Sequence, residues 1–166
     1  MFRFVHTSDL HLGKRFGNLP EDVRGRLREA RHGAIGRIAA QAANNGASAI
    51  LVAGDTFDTE TPSPAILRQA LAEMGHHAPL RWIVLPGNHD SLLADQLWDA
   101  ARSTLPSNVI LATAASPIEL APDVVLATYR LLKHDEPNAD RRVSIAAILE
   151  MPKASSVASM RRHAGD

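Results

Sequence analysis

A chain of 166 residues with 45% apolar and 22% charged side chains is sized for one folded domain with its own core, is short for two, and is too apolar for a disordered protein. Its 18 Lys and Arg cancel its 18 Asp and Glu, which removes a strongly basic surface as an argument for nucleic-acid binding but leaves room for a local basic rim. Zero cysteines exclude a disulfide scaffold and a zinc–thiolate site, so any metal must be held by His, Asp, Glu or Asn.

Phe2 to Val5 is a short apolar run ending in polar His6-Thr-Ser-Asp9, the pattern of a strand entering a loop. No secretory leader precedes it and no apolar run reaches 18 residues, so a cytoplasmic protein without a membrane span is expected. From about Leu27 apolar residues recur at three- and four-residue spacing (Ala30, Ala34, Ile35, Ile38, Ala42), predicting a helix that ends at Asn44-Asn-Gly46. Ala47 to Ala53 is nearly all apolar, as suits a parallel strand covered on both faces, and Gly54 stops it. Thr61-Pro62-Ser-Pro64 opens a second helix that closes near Gly75 and the pair His76-His77. Trp82 to Leu85 is a third strand, closed by Pro86-Gly87, and Ser91 is the expected cap of a short helix through Trp98. Shorter strands are expected at Asn108–Leu111, Ile118–Leu120 and Val124–Ala127. After Tyr129 aromatic residues cease. Residues 130–166 read as a weakly ordered tail in which Arg142 to Met151 has the composition of one modest helix.

Strand, loop and helix repeated three times is α/β architecture, whose chemistry collects beyond the carboxyl ends of the strands. Three polar clusters fall there. In Asp9-Leu-His11, two residues apart in an extended segment, a carboxylate and an imidazole point to one side and can share a cation. In Gly54-Asp55-Thr-Phe-Asp58 the glycine permits a tight turn, and an aspartate there needs a cation or hydrogen-bond donors; Phe57 reads as packing. In Pro86-Gly-Asn-His-Asp90, Asn88 offers a neutral oxygen to a hard cation and His89 can coordinate or handle protons near neutral pH. Each cluster alone has an ordinary reading as a turn or cap. Their recurrence after three successive strands argues for a metal-dependent site.

Asp9-x-His11, Gly54-Asp55-x-x-Asp58 and Gly87-Asn88-His89-Asp90 resemble the three amino-terminal motifs of the calcineurin-like metallophosphoesterases, and Ser8-Asp-Leu-His-Leu-Gly13 with Gly54-Asp55-Thr-Phe57 is most similar to DNA repair exonucleases of the SbcD kind. The resemblance covers residues 1–129 and implies the amino-terminal half of a four-layer α/β/β/α sandwich, followed by the divergent tail 130–166. It implies a site for two divalent ions, Mn²⁺ or else Mg²⁺ or Fe²⁺, and hydrolysis of phosphodiester bonds by metal-activated hydroxide. By the same resemblance Asp9 and His11 would bind the first metal, Asp55 would bridge both, and Asn88 would bind the second. His89 would act on the leaving oxygen, with Asp58 or Asp90 in support. Family members add three histidines from their second half, in His-Gly and Gly-His-x-His settings; here only His134 and His163 follow His89, neither so placed. The chain therefore reads as truncated after the third motif, with the second sheet largely missing, the second metal site weak or empty and little hydrolysis expected. The sheet face opposite the helices is expected to stand open and drive association.

Lys14 and Arg15 follow His11, and Arg24, Arg26, Arg28 and Arg31 cluster near the first helix, where they are candidates for contacts to DNA phosphates or else a solvated face shared with Glu21, Asp22 and Glu29. By resemblance the partners are DNA, a second copy of the chain and an ATPase-type nuclease subunit. A phosphatase or phosphodiesterase of small molecules or phosphoproteins, and a non-catalytic metal- or partner-binding remnant, are the competing readings.

Overall fold

The computed structural model describes the side chains of residues 1–127 and the backbone of 128–131 and 142–150. Four parallel strands, β1 (Phe4–Thr7), β2 (Ala49–Ala53), β3 (Arg81–Leu85) and β4 (Val109–Leu111), lie side by side in chain order. Helices α1 (Glu21–Asn44), α2 (Pro64–His76) and α3 (Asp95–Ser103) make the three crossovers. Consecutive crossovers of one hand leave all three helices on one face of the sheet.

The apolar run of β2 has a use for both of its faces. Ile50 and Val52, with Trp82, Val84 and Val109, pack against Ile35, Ala39, Leu67, Leu71, Met74 and Trp98 of the helices. The alternate residues Ala49, Leu51, Ile83 and Leu85 pack the other way, against Leu120, Val124 and Leu126. Those last residues belong to an antiparallel sheet of β5 (Ile118–Ala121), β6 (Val124–Leu131) and β7 (Arg142–Glu150), in the order β5-β6-β7. Helices, parallel sheet and antiparallel sheet form three successive layers of the expected sandwich.

Two expectations give way here. The second sheet has three strands among the described residues, and it covers the face that was expected to stand open, so the argument for association through that face falls. Arg142–Met151, expected as a modest helix, is strand over 142–150, paired antiparallel with β6 from Val124↔Glu150 to Leu131↔Arg142. The remainder of the expected tail, 132–141 and 151–166, with His134 and His163, lies outside the described residues.

Helix boundaries moved for local reasons. α1 starts at Glu21, a turn and a half before its apolar pattern, because Glu21 and Asp22 sit favourably at the positive end of the helix and its first half is not needed for the core. α2 starts at Pro64 with Ser63 as cap, its hydroxyl accepting from the Ile66 N–H. α3 starts at Asp95, after Ser91. Ser91 is engaged elsewhere: its hydroxyl donates to Glu60, and its carbonyl accepts from the buried Trp98 indole N–H at 2.8 Å.

Candidate metal centre at three strand ends

The loops after β1, β2 and β3 meet beyond the carboxyl ends of the parallel sheet. Pairing continues past the strands: the Asp9 N–H donates to the Gly54 carbonyl, His11 to Asp55, Leu12 to Thr56, and Asp58 back to Leu12. Leu12 and Phe57 are fully buried beneath this ladder, which gives the polar residues above a rigid floor. Phe57 is thus the packing residue its sequence setting suggests.

Asp9 and His11 converge, but not in the way an extended segment would arrange them. Both are left-handed, with φ of 58° and 44°, and Asp55 joins them at 54°. Such backbone is strained for residues other than glycine and holds only where the surroundings enforce it. The kink turns Leu10 into the core and brings His11 Nε2 within 3.7 Å of Asp9 Oδ1. The Ser8 hydroxyl donates to the other Asp9 oxygen and orients the carboxylate.

The second and third loops are laced reciprocally. Asp55 Oδ1 accepts the N–H groups of Asn88 at 2.8 Å and His89 at 2.9 Å. Asp90, fully buried, accepts from Asp55 N–H at 3.1 Å, Phe57 N–H at 3.0 Å and Gly87 N–H at 2.7 Å. Each loop's aspartate therefore holds the other loop's amides. Burial pushes the Asp90 carboxyl up to about 6, with the Asp55 charge adding to the rise and the three backbone donors opposing it. Gly87 admits this arrangement: a Cβ there would lie 2.1 Å from Asp55 Oδ1 and 2.3 Å from its nitrogen. Gly54, at φ +92°, faces it, and a Cβ there would lie 2.9 Å from Gly87 Cα.

Donor atoms of Asp9, His11 and Asp55 lie within 4.8 Å of one another, as do those of His11, Asp58 and His89. Opposite ligands of an octahedral ion with bonds near 2.1 Å stand about 4.2 Å apart, so both groups are of a size to close on a cation. His11 belongs to both. Its Nδ1 lies 3.1 Å from Asp58 Oδ1, yet it is buried and makes no properly aligned hydrogen bond among the described residues. A carboxylate at that distance orients the ring and turns its other nitrogen, Nε2, toward Asp9. The oxygen and imidazole donors fit a hard or intermediate divalent ion.

Asp58 stands in the middle of the cluster, touching His11 and, at 3.3 Å, the Lys14 ammonium. His89 packs edge-on to the His11 ring, centroids 4.7 Å apart, and its Nδ1 lies 3.0 Å from the Asp58 carbonyl. A carbonyl only accepts, so Nδ1 carries the proton and Nε2 faces outward. Asn88 and His89 are exposed at the mouth, and Arg15 is exposed beside it. Asp90 is apart from this group, its carboxylate turned into the loop backbones. Arg31 lies behind, donating to the Leu10 carbonyl at 2.8 Å, whereas Arg24 and Arg28 pair with Glu21. The structure adds one contact without a sequence signal, the link from Ser91 to Glu60 that ties the end of the third loop to the second.

The family model for calcineurin-like phosphoesterases matches residues 2–141. Among curated proteins, the chain is similar to the SbcD subunit of the nuclease SbcCD from Escherichia coli strain K12, at 38% identity over 98 residues. The corresponding protein of Escherichia coli O157:H7 matches to the same extent. The matched segment is 54% of this chain and 22% of each relative, so the chain spans only a minor part of the proteins it matches.

Proposed function

This chain belongs to the calcineurin-like phosphoesterases, and from that membership we propose that it carries metal ligands of a nuclease that hydrolyses phosphodiester bonds of DNA. The observation that carries the reading is the meeting of Asp9, His11, Asp55, Asp58 and His89, drawn from three separate loops, in two overlapping groups of donor atoms.

Asp9, His11 and Asp55 would hold one divalent ion; Asp55 and the Asn88 side chain would hold another. When bound, such ions supply positive charge for the phosphoryl oxygens and lower the pKa of water toward neutrality. The chain's own residues do the rest. Asp58 fixes His11 from one side and the His89 ring from the other, through its carboxylate and its carbonyl. With the proton on Nδ1, His89 presents Nε2 to the substrate; on gaining a proton there it can donate to the leaving oxygen. Asp90 keeps the second and third loops in register without reaching the substrate. Lys14 and Arg15 extend positive charge from the mouth along a bound strand.

Among the described residues Asp55 and Asn88 are the ones offered to the second ion, so the expectation to test is that it binds more weakly than the first. Similarity to a nuclease subunit makes DNA the substrate to test first, an ATPase-type subunit and a second copy of the chain the partners to test, and the cytoplasm the expected location. No helix among the described residues is long and apolar enough to cross a membrane.

The experiment is Mn²⁺ titration by calorimetry followed by hydrolysis assays on linear DNA and on an aryl phosphodiester. One firm Mn²⁺ site with slow cleavage of DNA supports the reading. Cleavage of the aryl ester alone reassigns the chain to small-molecule phosphodiesters, and no Mn²⁺ binding reduces it to a non-catalytic relative.

A further inference from the structure

The kink that brings Asp9 and His11 together turns on one peptide unit, the one joining Leu10 to His11. Half a turn of that unit would leave the path of the backbone nearly unchanged. It would also carry φ of His11 from 44° to the negative side, where residues other than glycine are at ease. The same half turn would reverse both polar groups of the unit, and both are held from outside the loop. The His11 N–H donates to the Asp55 carbonyl at 2.9 Å, and the Leu10 carbonyl accepts from the Arg31 guanidinium at 2.8 Å.

Arg24 and Arg28 on α1 are paired with Glu21, whereas Arg31 pairs with no carboxylate among the described residues. Its guanidinium lies 5.3 Å from the centroid of the Phe16 ring, which limits where it can swing. A hydrogen bond from a charged donor is stronger than one between neutral groups. Its net strength is of the same order as the strain of one left-handed residue. Losing it therefore shifts the balance between the two orientations of the peptide. His11 belongs to both groups of donor atoms. The half turn would re-aim its ring, because the Cα–Cβ bond tilts and the side-chain rotamers open to it change.

We propose that Arg31 is a positioning residue of the metal centre: from α1 it holds the Leu10–His11 peptide in the orientation that presents His11 to a divalent ion, without touching the ion itself. This deepens the metal-site reading and rests on it. Arg31→Met keeps the aliphatic stem and removes the donor. In Mn²⁺ calorimetry it is expected to weaken the firm site roughly ten- to 100-fold. The sign is informative, since taking a positive charge from beside a cation site would by Coulomb's law alone tighten it. Arg28→Met removes an equal charge from the same helix, and Arg28 bonds only to Arg24 and Glu21, so this variant is expected to bind at least as tightly as the native chain. Arg31→Lys, which retains a charged donor, is expected to recover part of the loss. In chelator, deuterium exchange at the His11 amide should quicken roughly tenfold in Arg31→Met. The Leu12 amide, bonded to the Thr56 carbonyl at 2.9 Å, should keep its rate. Mn²⁺ affinity in Arg31→Met equal to or above the native value would overturn the proposal. So would equal acceleration at His11 and Leu12, which marks a general loosening of the loop. A native chain that binds no Mn²⁺ would instead sink the metal-site reading, and the role given to Arg31 with it.

Discussion

Asp55 does two jobs with one carboxylate, and the two can be separated. Its Oδ1 accepts the amides of Asn88 and His89, and its charge is offered to a cation. Asp55→Asn keeps an oxygen for the amides and removes the charge. The variant should retain stability to within about 1 kcal/mol while Mn²⁺ affinity falls at least about 100-fold, as thermal unfolding and calorimetry would register. Asp90 is the complementary case, a carboxylate buried among backbone donors and raised to about 6. Between its unfolded value of 3.8 and about 6 the folded chain binds the extra proton, so stability declines as pH rises through that window and levels off above it. In chelator, the native chain should lose up to about 3 kcal/mol relative to Asp90→Asn between pH 4 and 7. Denaturant titrations at several pH values give the comparison, and a difference independent of pH would refute it.

The elements that carry the site depend on a glycine that no side chain can replace. Gly87 lies against Asp55 so closely that a Cβ would overlap both its carboxylate and its nitrogen. Gly87→Ala should push the third loop off the second, destabilise the fold by about 2–4 kcal/mol and weaken Mn²⁺ binding along with it. Thermal melts and metal titration on one preparation would establish both. The Pro-Gly-Asn turn was legible in the sequence; the reason for its glycine was not, because it depends on a loop some thirty residues earlier in the chain. Asp9 and His11 were legible as a pair, but their left-handed backbones were not, since nothing in Asp-Leu-His announces that Leu10 will be drawn inward. Asp58 became central through a neighbour on another loop. For 142–150 the pattern was ambiguous: Ile145, Ile148 and Leu149 have helical spacing, while Val143, Ile145, Ala147 and Leu149 alternate. The open edge of β6 decides for strand, and that is a long-range fact.

At the scale of the molecule, the parallel sheet is closed on both faces within this chain. Leu126 is fully buried between the sheets and has no alternative partner in water. Leu126→Ala should cost about 2–5 kcal/mol in denaturant unfolding and, by loosening the cover over Leu51, Ile83 and Leu85, make the variant prone to self-association. Sedimentation velocity of native and variant chains together would separate those effects. The α/β plan and the three clusters were readable because strand runs and loop punctuation are local properties. The layer contributed by β5 to β7 was underestimated, because short strands rich in alanine gain their meaning only from the sheet they cover.

The reciprocal lacing of the second and third loops has a consequence for how the site breathes. Neither loop can lift alone without stranding the other's amides on a carboxylate that has moved away, so the two rise as one cooperative unit. Deuterium should therefore enter the amides of Asp55, Phe57, Gly87, Asn88 and His89 at a common opening free energy. A cation that bridges the loops would slow all five together.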